Sequence, residues 1–244
     1  MELIDIGSNL THESFQQDFD AVLERALADT VVSVHSHQPA AVTITQVTEC
    51  GTVYRPAQVA AIAAVARARG LPLHMDGARF ANAVAALGES PAALTWKAGV
   101  DILSFGATKN GAINAEAVVF FDTARVRDFE LRRKRAAQLL SKMRYASAQL
   151  LACLEGGFFA ANAARANRLA ARIAAAAGPR LLFAADANLV FLKLAPAEAA
   201  SLREQGFDFY DWGPPRDCGS RFAVSWDQPE ADVDALCGAL RAWS

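Results

Sequence analysis

Short apolar segments rich in β-branched residues alternate along the chain with longer, Ala-rich segments whose apolar positions repeat with a helical period. The short segments predict strands and the longer ones predict helices. Within residues 40–122, strands are predicted at 41–45, 71–75, 100–104 and 116–121, and helices at 56–69 and 77–87. Strands that alternate with helices favour an α/β fold with a largely parallel sheet.

The rest of the chain follows other patterns. One long helical stretch is predicted from about residue 123 to 155, and Gly156-Gly157 separates it from a second helix that ends near residue 177. Beyond it, strands are predicted at 181–183, 189–194, 207–210 and 222–225, and helices at 196–204 and 229–242. This order predicts a smaller α+β unit. Near the start of the chain, a strand is predicted at 3–7, a helix from 14 to 25 and a β-branched run at 30–34.

The composition is that of a globular protein, because 53% of the 244 residues are hydrophobic and 24 basic residues nearly balance 26 acidic ones. A net charge near zero argues against binding nucleic acid through a basic face. The four cysteines form no CxxC pair, and the early acidic residues are unlike a signal peptide. No apolar run reaches the roughly 20 residues of a membrane span. We therefore expect a cytoplasmic protein without membrane contact.

Candidate chemistry lies in three segments that follow predicted strands, at 46–49, 74–79 and 104–111. Ligands of open α/β sheets bind at the carboxyl ends of the strands. Asp76 ends one strand, and Lys109 lies in a glycine-flanked turn after the next. Pyridoxal phosphate requires a lysine to hold it and a carboxylate beside its pyridine nitrogen, so this pair suggests that cofactor. Thr48 and Glu49 either line the same pocket or only shape a turn, and His74 is interpreted as a core histidine.

Three segments carry a specific resemblance: LHMDGARFANA at 73–83, TWKAGVD at 95–101 and SFGATKNG at 104–111. They closely resemble segments of the low-specificity L-threonine aldolase family. Members of this family are pyridoxal-phosphate enzymes of the aspartate-aminotransferase fold type (fold type I). Further similar segments lie at 45–54, 132–135, 140–144, 209–213 and 221–227. The resemblance covers residues 33 to 244. It implies retro-aldol cleavage of threonine, allo-threonine or another β-hydroxy-α-amino acid to glycine and an aldehyde.

The same resemblance implies roles for five residues. Lys109 looks like the Schiff-base lysine, and Asp76 like the partner of the pyridine nitrogen. Arg79 resembles the active-site arginine near cofactor and substrate, and Arg221 the arginine that binds the substrate carboxylate. Arg144 resembles an arginine that contacts the cofactor phosphate, in some cases that of a neighbouring subunit. A homo-oligomer, dimer or tetramer, is therefore expected.

The start of the chain departs from the family pattern. Neither the phosphate-binding Gly/Thr loop nor the histidine that stacks on the pyridine ring is found, so we expect an N-terminally truncated member with weakened cofactor binding and activity. The chain instead opens with MELIDIGSNLTH at 1–12, followed by Phe15, Asp18, Val22 and Arg25. With these residues, the segment 1–28 resembles the start of a TatD-type metal-dependent deoxyribonuclease. Two alternatives therefore stay open: an inactive remnant of the aldolase, and a TatD-like hydrolase that uses the HxH sequence at 35–37 as metal ligands.

These interpretations divide the chain into three parts. Residues 1–32 form the TatD-like segment, residues 33–150 an incomplete cofactor-binding large domain with a mostly parallel sheet, and residues 151–244 a C-terminal α+β small domain.

Overall fold

A computed structural model describes residues 2–5, 39–213 and 219–243, with only the backbone of residues 2–5. The helix predicted at 14–25, the β-branched run at 30–34 and the HxH sequence at 35–37 lie outside the described residues. Two hydrophobic cores organise the described part, one around a five-stranded sheet and one around a three-stranded sheet.

The first sheet is mostly parallel, as predicted. Its strands are β1 (Glu2–Asp5), β2 (Pro39–Thr45), β3 (Leu73–Gly77), β4 (Ile102–Gly106) and β5 (Glu116–Phe120), in the spatial order β1-β2-β3-β4-β5. The first four strands run parallel, and β5 pairs with β4 in the antiparallel sense. The carboxyl ends of β2, β3 and β4 therefore lie at one edge.

Three helices accompany this sheet: α1 (Pro56–Ala68), α2 (Phe80–Leu87) and α3 (Pro91–Leu94). Proline stands at the first position of α1 and α3, where the missing N–H costs no hydrogen bond. Gly88 ends α2 in the left-handed conformation. The helices and one face of the sheet share a core that includes Val42, Ile44, Ile62, Leu73 and Met75.

The prediction of one helical stretch from 123 to 155 is wrong. The structure has two helices, α4 (Val126–Arg135) and α5 (Arg144–Glu155). A Schellman motif ends α4: Gln138 N donates to Arg133 O at 3.0 Å, and Ala137 N donates to Lys134 O at 3.2 Å. Ala137 occupies the left-handed position at φ 58° that glycine usually takes, so the sequence lacks the usual signal for this break.

The second core is built from α6 (Phe158–Ala177), β6 (Leu189–Lys193), α7 (Pro196–Glu204), β7 (Tyr210–Trp212), β8 (Gly219–Ala223) and α8 (Glu230–Arg241). Its sheet is antiparallel, in the order β6-β8-β7, which confirms the predicted α+β unit. The strand predicted at 181–183 is wrong, because Leu181 forms only an isolated bridge with Leu192.

Helix α6 connects the two cores. It packs against α2 of the first core and α8 of the second. Asn82 and Asn167 fix its contact with α2 through two hydrogen bonds, of 3.0 and 2.9 Å. The domain boundary predicted at residue 150 stays a prediction. Within the part of the chain that the structure describes, no helix is both long and apolar enough to cross a membrane.

A tight turn after β2 also joins the two cores. Gly51, at φ +84°, lies so close to β6 that a Cβ built on it would be 2.8 Å from the Leu189 carbonyl oxygen. The neighbouring Val53 N donates to the Asp186 carboxylate at 3.1 Å. These contacts fix the turn against the second sheet.

Replacing Gly51 with alanine is expected to lower the free energy of unfolding by about 3 kcal/mol, because left-handed strain adds to a steric clash with backbone. Gly70→Ala is the matched control, since Gly70 has φ +68° but nothing within 4 Å of its built Cβ. That variant should lose only about 1 kcal/mol. Urea denaturation of both variants measures the difference, and equal losses would show that the contact with β6 is not tight.

Candidate active site

The three segments singled out in the sequence meet at one edge of the first sheet. Thr45 pairs with Asp76 in the β2–β3 register, and Asp76 pairs with Ser104 in the β3–β4 register. The Lys109 turn follows β4 directly. The structure therefore brings the predicted Asp76 and Lys109 segments to the carboxyl ends of neighbouring parallel strands, where ligands of such sheets bind.

Asp76 is half-buried near the end of β3. Its Oδ1 accepts a hydrogen bond of 2.9 Å from Ala78 N, which orients the carboxylate in the turn that leaves the strand. Thr45 and Ser104 flank it on the same face of the sheet, because residues paired in register point the same way. The carboxylate thus has a fixed orientation at the edge where a ligand would bind.

His74 lies two residues before Asp76 on the same face of β3. Its Nδ1 shares a hydrogen bond of 2.7 Å with Thr43 Oγ1, and its Nε2 shares one of 2.9 Å with Ser104 Oγ. Burial lowers the pKa of His74, and the nearby charge of Asp76 only partly opposes this effect. A neutral imidazole therefore links β2, β3 and β4 beneath Asp76.

Lys109 is exposed in a short 3-10 turn, Thr108–Asn110, which Gly111 ends at φ +115°. Two asparagines hold this turn. Asn110 Nδ2 donates to Phe159 O at 2.9 Å, and Asn162 Nδ2 donates to Asn110 O at 3.0 Å. The ammonium group is therefore accessible on a turn whose backbone is anchored to α6. Sequence reasoning did not identify Asn162, because no local pattern links it to a turn some 50 residues away.

Two arginines lie close to this edge. Arg79 follows β3, and Arg221 comes from β8 of the second core. Each has a buried Nε without a hydrogen-bond partner in the described part of the chain. Burial lowers the pKa of Arg79, the charge of Arg221 lowers it further, and Glu49 and Asp76 oppose both effects. Neighbouring guanidinium groups with unpaired donors form a place for an anion.

Arg144 lies apart from these groups in the contacts that the structure describes. It is exposed at the start of α5, and its guanidinium stacks at 4.8 Å on the ring of Tyr145. Its predicted role toward a cofactor phosphate, in a neighbouring subunit or its own, stays a prediction.

A known protein family matches most of the chain, including this edge of the sheet. Residues 12–196 match the model of the beta-eliminating lyase family. The chain belongs to that family. The match includes Asp76, Arg79, Lys109 and Arg144 and stops short of Arg221. It also begins inside the segment 1–28 that was ascribed to a TatD-like start.

Among lyases of this family, the chain is similar to two curated low specificity L-threonine aldolases. It is 46% identical over 213 residues to that of a Pseudomonas species and 47% identical over 212 residues to that of Pseudomonas aeruginosa. The alignments cover 86% and 85% of this chain. The chain spans 61% of the length of both relatives. The resemblance to this family is confirmed.

The fold is that of known threonine aldolases. The Leishmania major threonine aldolase superposes with a TM-score of 0.83 at 27% identity, over 92% of this chain and 66% of that one. A putative L-allo-threonine aldolase from Listeria monocytogenes shares the fold with a TM-score of 0.65 at 18% identity, over 88% and 64% of the two chains. The predicted fold class is thereby confirmed. These matches give no support to a TatD-like deoxyribonuclease.

The half-buried imidazole of His74 makes stability depend on pH. Its pKa is depressed in the folded protein, so the unfolded chain takes up the proton first as the pH falls below about 6.5. Acidification below that value should therefore cost wild-type stability that a His74→Gln variant does not lose. Urea denaturation of both proteins between pH 7.5 and pH 5 tests this, and parallel stability curves would contradict it.

Proposed function

We propose that this chain is a pyridoxal-phosphate-dependent aldolase that cleaves β-hydroxy-α-amino acids, such as threonine and allo-threonine, to glycine and an aldehyde. One observation carries the proposal. The Asp76 carboxylate and the accessible Lys109 lie at the ends of neighbouring strands, beside two arginines with buried, unpaired Nε donors. The similarity to curated low specificity L-threonine aldolases supports the choice of reaction.

The described residues supply part of a site for the proposed cofactor, without the phosphate-binding loop and the stacking histidine that the sequence lacks. Lys109 offers a primary amine for the cofactor carbonyl, and Asp76 offers a carboxylate to keep the pyridine nitrogen protonated. The unpaired donors of Arg79 and Arg221 leave a cationic site that an amino acid's carboxylate would neutralise. Arg144 is proposed as a ligand of the cofactor phosphate.

Each of these side chains has a separate role in the proposed reaction. Arg221 binds the substrate carboxylate, where a planar guanidinium gives two parallel hydrogen bonds that lysine cannot. Arg79 adds positive charge next to it, and the two together fix the substrate's orientation at the sheet edge. The Ala78 N–H donor orients the Asp76 carboxylate for its contact with the pyridine nitrogen. When bound, pyridoxal phosphate supplies the electron-withdrawing ring that stabilises negative charge at the substrate Cα.

The first experiment adds pyridoxal phosphate to the purified protein, removes the unbound cofactor, and records the visible absorbance and the cleavage of threonine to acetaldehyde. Wild type should gain a visible band and turn over threonine, and Lys109→Ala should do neither. Lys97→Ala is the matched control, because Lys97 is also exposed but lies over Trp96, 5.4 Å from the ring. This control should keep both properties.

Two results would count against the aldolase. A wild type without a band would favour the inactive remnant. A band that persists in Lys109→Ala would show that the cofactor binds elsewhere.

We also propose that the chain self-associates through α5 and the start of α6. Large apolar side chains are exposed there, at 55% for Leu151, 55% for Leu154 and 58% for Phe158. Leu151 and Leu154 lie three residues apart on one face of α5, and Phe158 begins α6, separated from α5 by two residues. Such patches mark interfaces, and Arg144 on the same helix would then face a second copy. The cytoplasmic location stays a prediction from the sequence.

A Leu151→Glu/Leu154→Glu variant should shift the protein to a monomer in sedimentation velocity, because two charges at the centre of an apolar interface oppose association. Trp96→Glu is the control. Trp96 is 52% exposed in the turn after α3, away from α5 in sequence, so this variant should keep the wild-type assembly. A wild type that sediments as a monomer would refute the proposal.

A further inference from the structure

Glu49 is the exposed tip of a turn that is otherwise buried. Thr48, Gly51 and Thr52 are buried, whereas the Glu49 side chain is exposed at the carboxyl end of β2. Nothing in the packing of the turn requires a carboxylate at this position. The exposed carboxylate is therefore accessible to a ligand at the neighbouring proposed site.

Hydrogen bonds lock the turn. Gly51 N donates to Thr48 O at 3.0 Å, and Thr48 N donates to Thr52 O at 2.9 Å. The two threonine hydroxyls share a further bond of 2.7 Å. Together with the contact of Gly51 on Leu189, these bonds hold the backbone of Glu49 in one conformation. The backbone at Glu49 therefore needs no ordering when its side chain contacts a ligand.

The charges around Glu49 place it at the same edge as Asp76. It lies close enough to Arg79 to oppose the lowering of that arginine's pKa, and Asp76 acts on the same guanidinium. Two carboxylates thus act electrostatically on Arg79, one from β3 and one from the turn that follows β2. These carboxylates are not equivalent, because Asp76 is half-buried and held by Ala78 N, whereas Glu49 is exposed.

Retro-aldol cleavage requires a base that takes the proton of the β-hydroxyl group. At this edge of the described structure, the other titratable groups are poorly suited or lie further from the Glu49 turn. Glu116 starts β5, which β3 and β4 separate from β2 and the turn that follows it. Lys109 and Asp76 are assigned to the cofactor, and both ring nitrogens of His74 are hydrogen-bonded. Burial, and then the charge of Glu49, raise the pKa of the Cys50 thiol, which keeps it protonated.

We propose that Glu49 is the catalytic base, an inference that rests on the proposed function. The β-hydroxyl proton moves to a carboxylate oxygen of Glu49. The O–H electron pair becomes the second bond of the aldehyde carbonyl, and the Cα–Cβ bond breaks with its electron pair left on Cα. The Cα electron pair then takes up one proton to give glycine, while Glu49 releases the proton that it accepted, so the number of protons balances and no further reactant is consumed.

Glu49→Gln tests this with two measurements: threonine cleavage, which requires the base, and glycine binding, which does not. Its kcat for threonine should fall at least about 100-fold, the usual contribution of a general base. Glycine carries no β-hydroxyl, so its dissociation constant, followed by the visible absorbance of the cofactor, should stay within about twofold of wild type. Glu204→Gln, an exposed carboxylate at the end of α7, is the control and should match wild type in both.

A second variant separates a chemical role from a structural one. Glu49→Ala should lose the same activity and regain part of it when formate is added, because a free carboxylate can take the proton. Wild-type turnover in Glu49→Gln would overturn the assignment and leave the aldolase proposal intact. Parallel loss of glycine binding and turnover, or no rescue by formate, would assign Glu49 to charge balance around Arg79 and also overturn it. A wild type that binds no cofactor would refute both proposals.

Discussion

The close approach of β3 and β4 at their carboxyl ends is the constraint on which the site depends. A Cβ built on Gly106 would lie 2.9 Å from the Ala78 Cα, and one built on Gly77 would lie 2.8 Å from the Ser104 carbonyl oxygen. Only glycine permits this spacing, because any side chain would meet backbone. The two strands can then deliver Asp76 and the Lys109 turn to the same edge.

The site also depends on how the two cores are held together. Arg221 comes from the second sheet, and the Lys109 turn is anchored to α6 through Asn162. The turn that carries Glu49 packs on β6 through Gly51. Each of these contacts joins a segment at the first sheet to an element outside it. Packing between the two cores therefore sets the relative positions of the acidic and basic groups. The contacts that stabilise these positions lie outside the place where a ligand would react.

Sequence patterns predicted the parts of the structure whose signals are local. Alternation of strands and helices gave the parallel sheet, and the order of Asp76 and Lys109 along neighbouring strands placed them at one edge. The break at Ala137 was missed because alanine there adopts a conformation that glycine usually signals. Asn162 was missed because its effect on the Lys109 turn arises only when α6 packs against that turn. Contacts between segments that are far apart along the chain produce no periodic pattern of residues in the sequence.

The electrostatics of the site supports the proposed amino-acid substrate. Arg79 and Arg221 repel each other, and burial of their Nε atoms without partners adds a desolvation cost. A bound carboxylate removes both penalties, so the free energy of its binding includes relief of strain already present in the protein. The carboxylates of Asp76 and Glu49 keep the cluster from being purely cationic. A ligand with two negative charges would therefore gain less binding free energy here than a ligand with one carboxylate and a neutral hydroxyl group. A β-hydroxy-α-amino acid has the second arrangement.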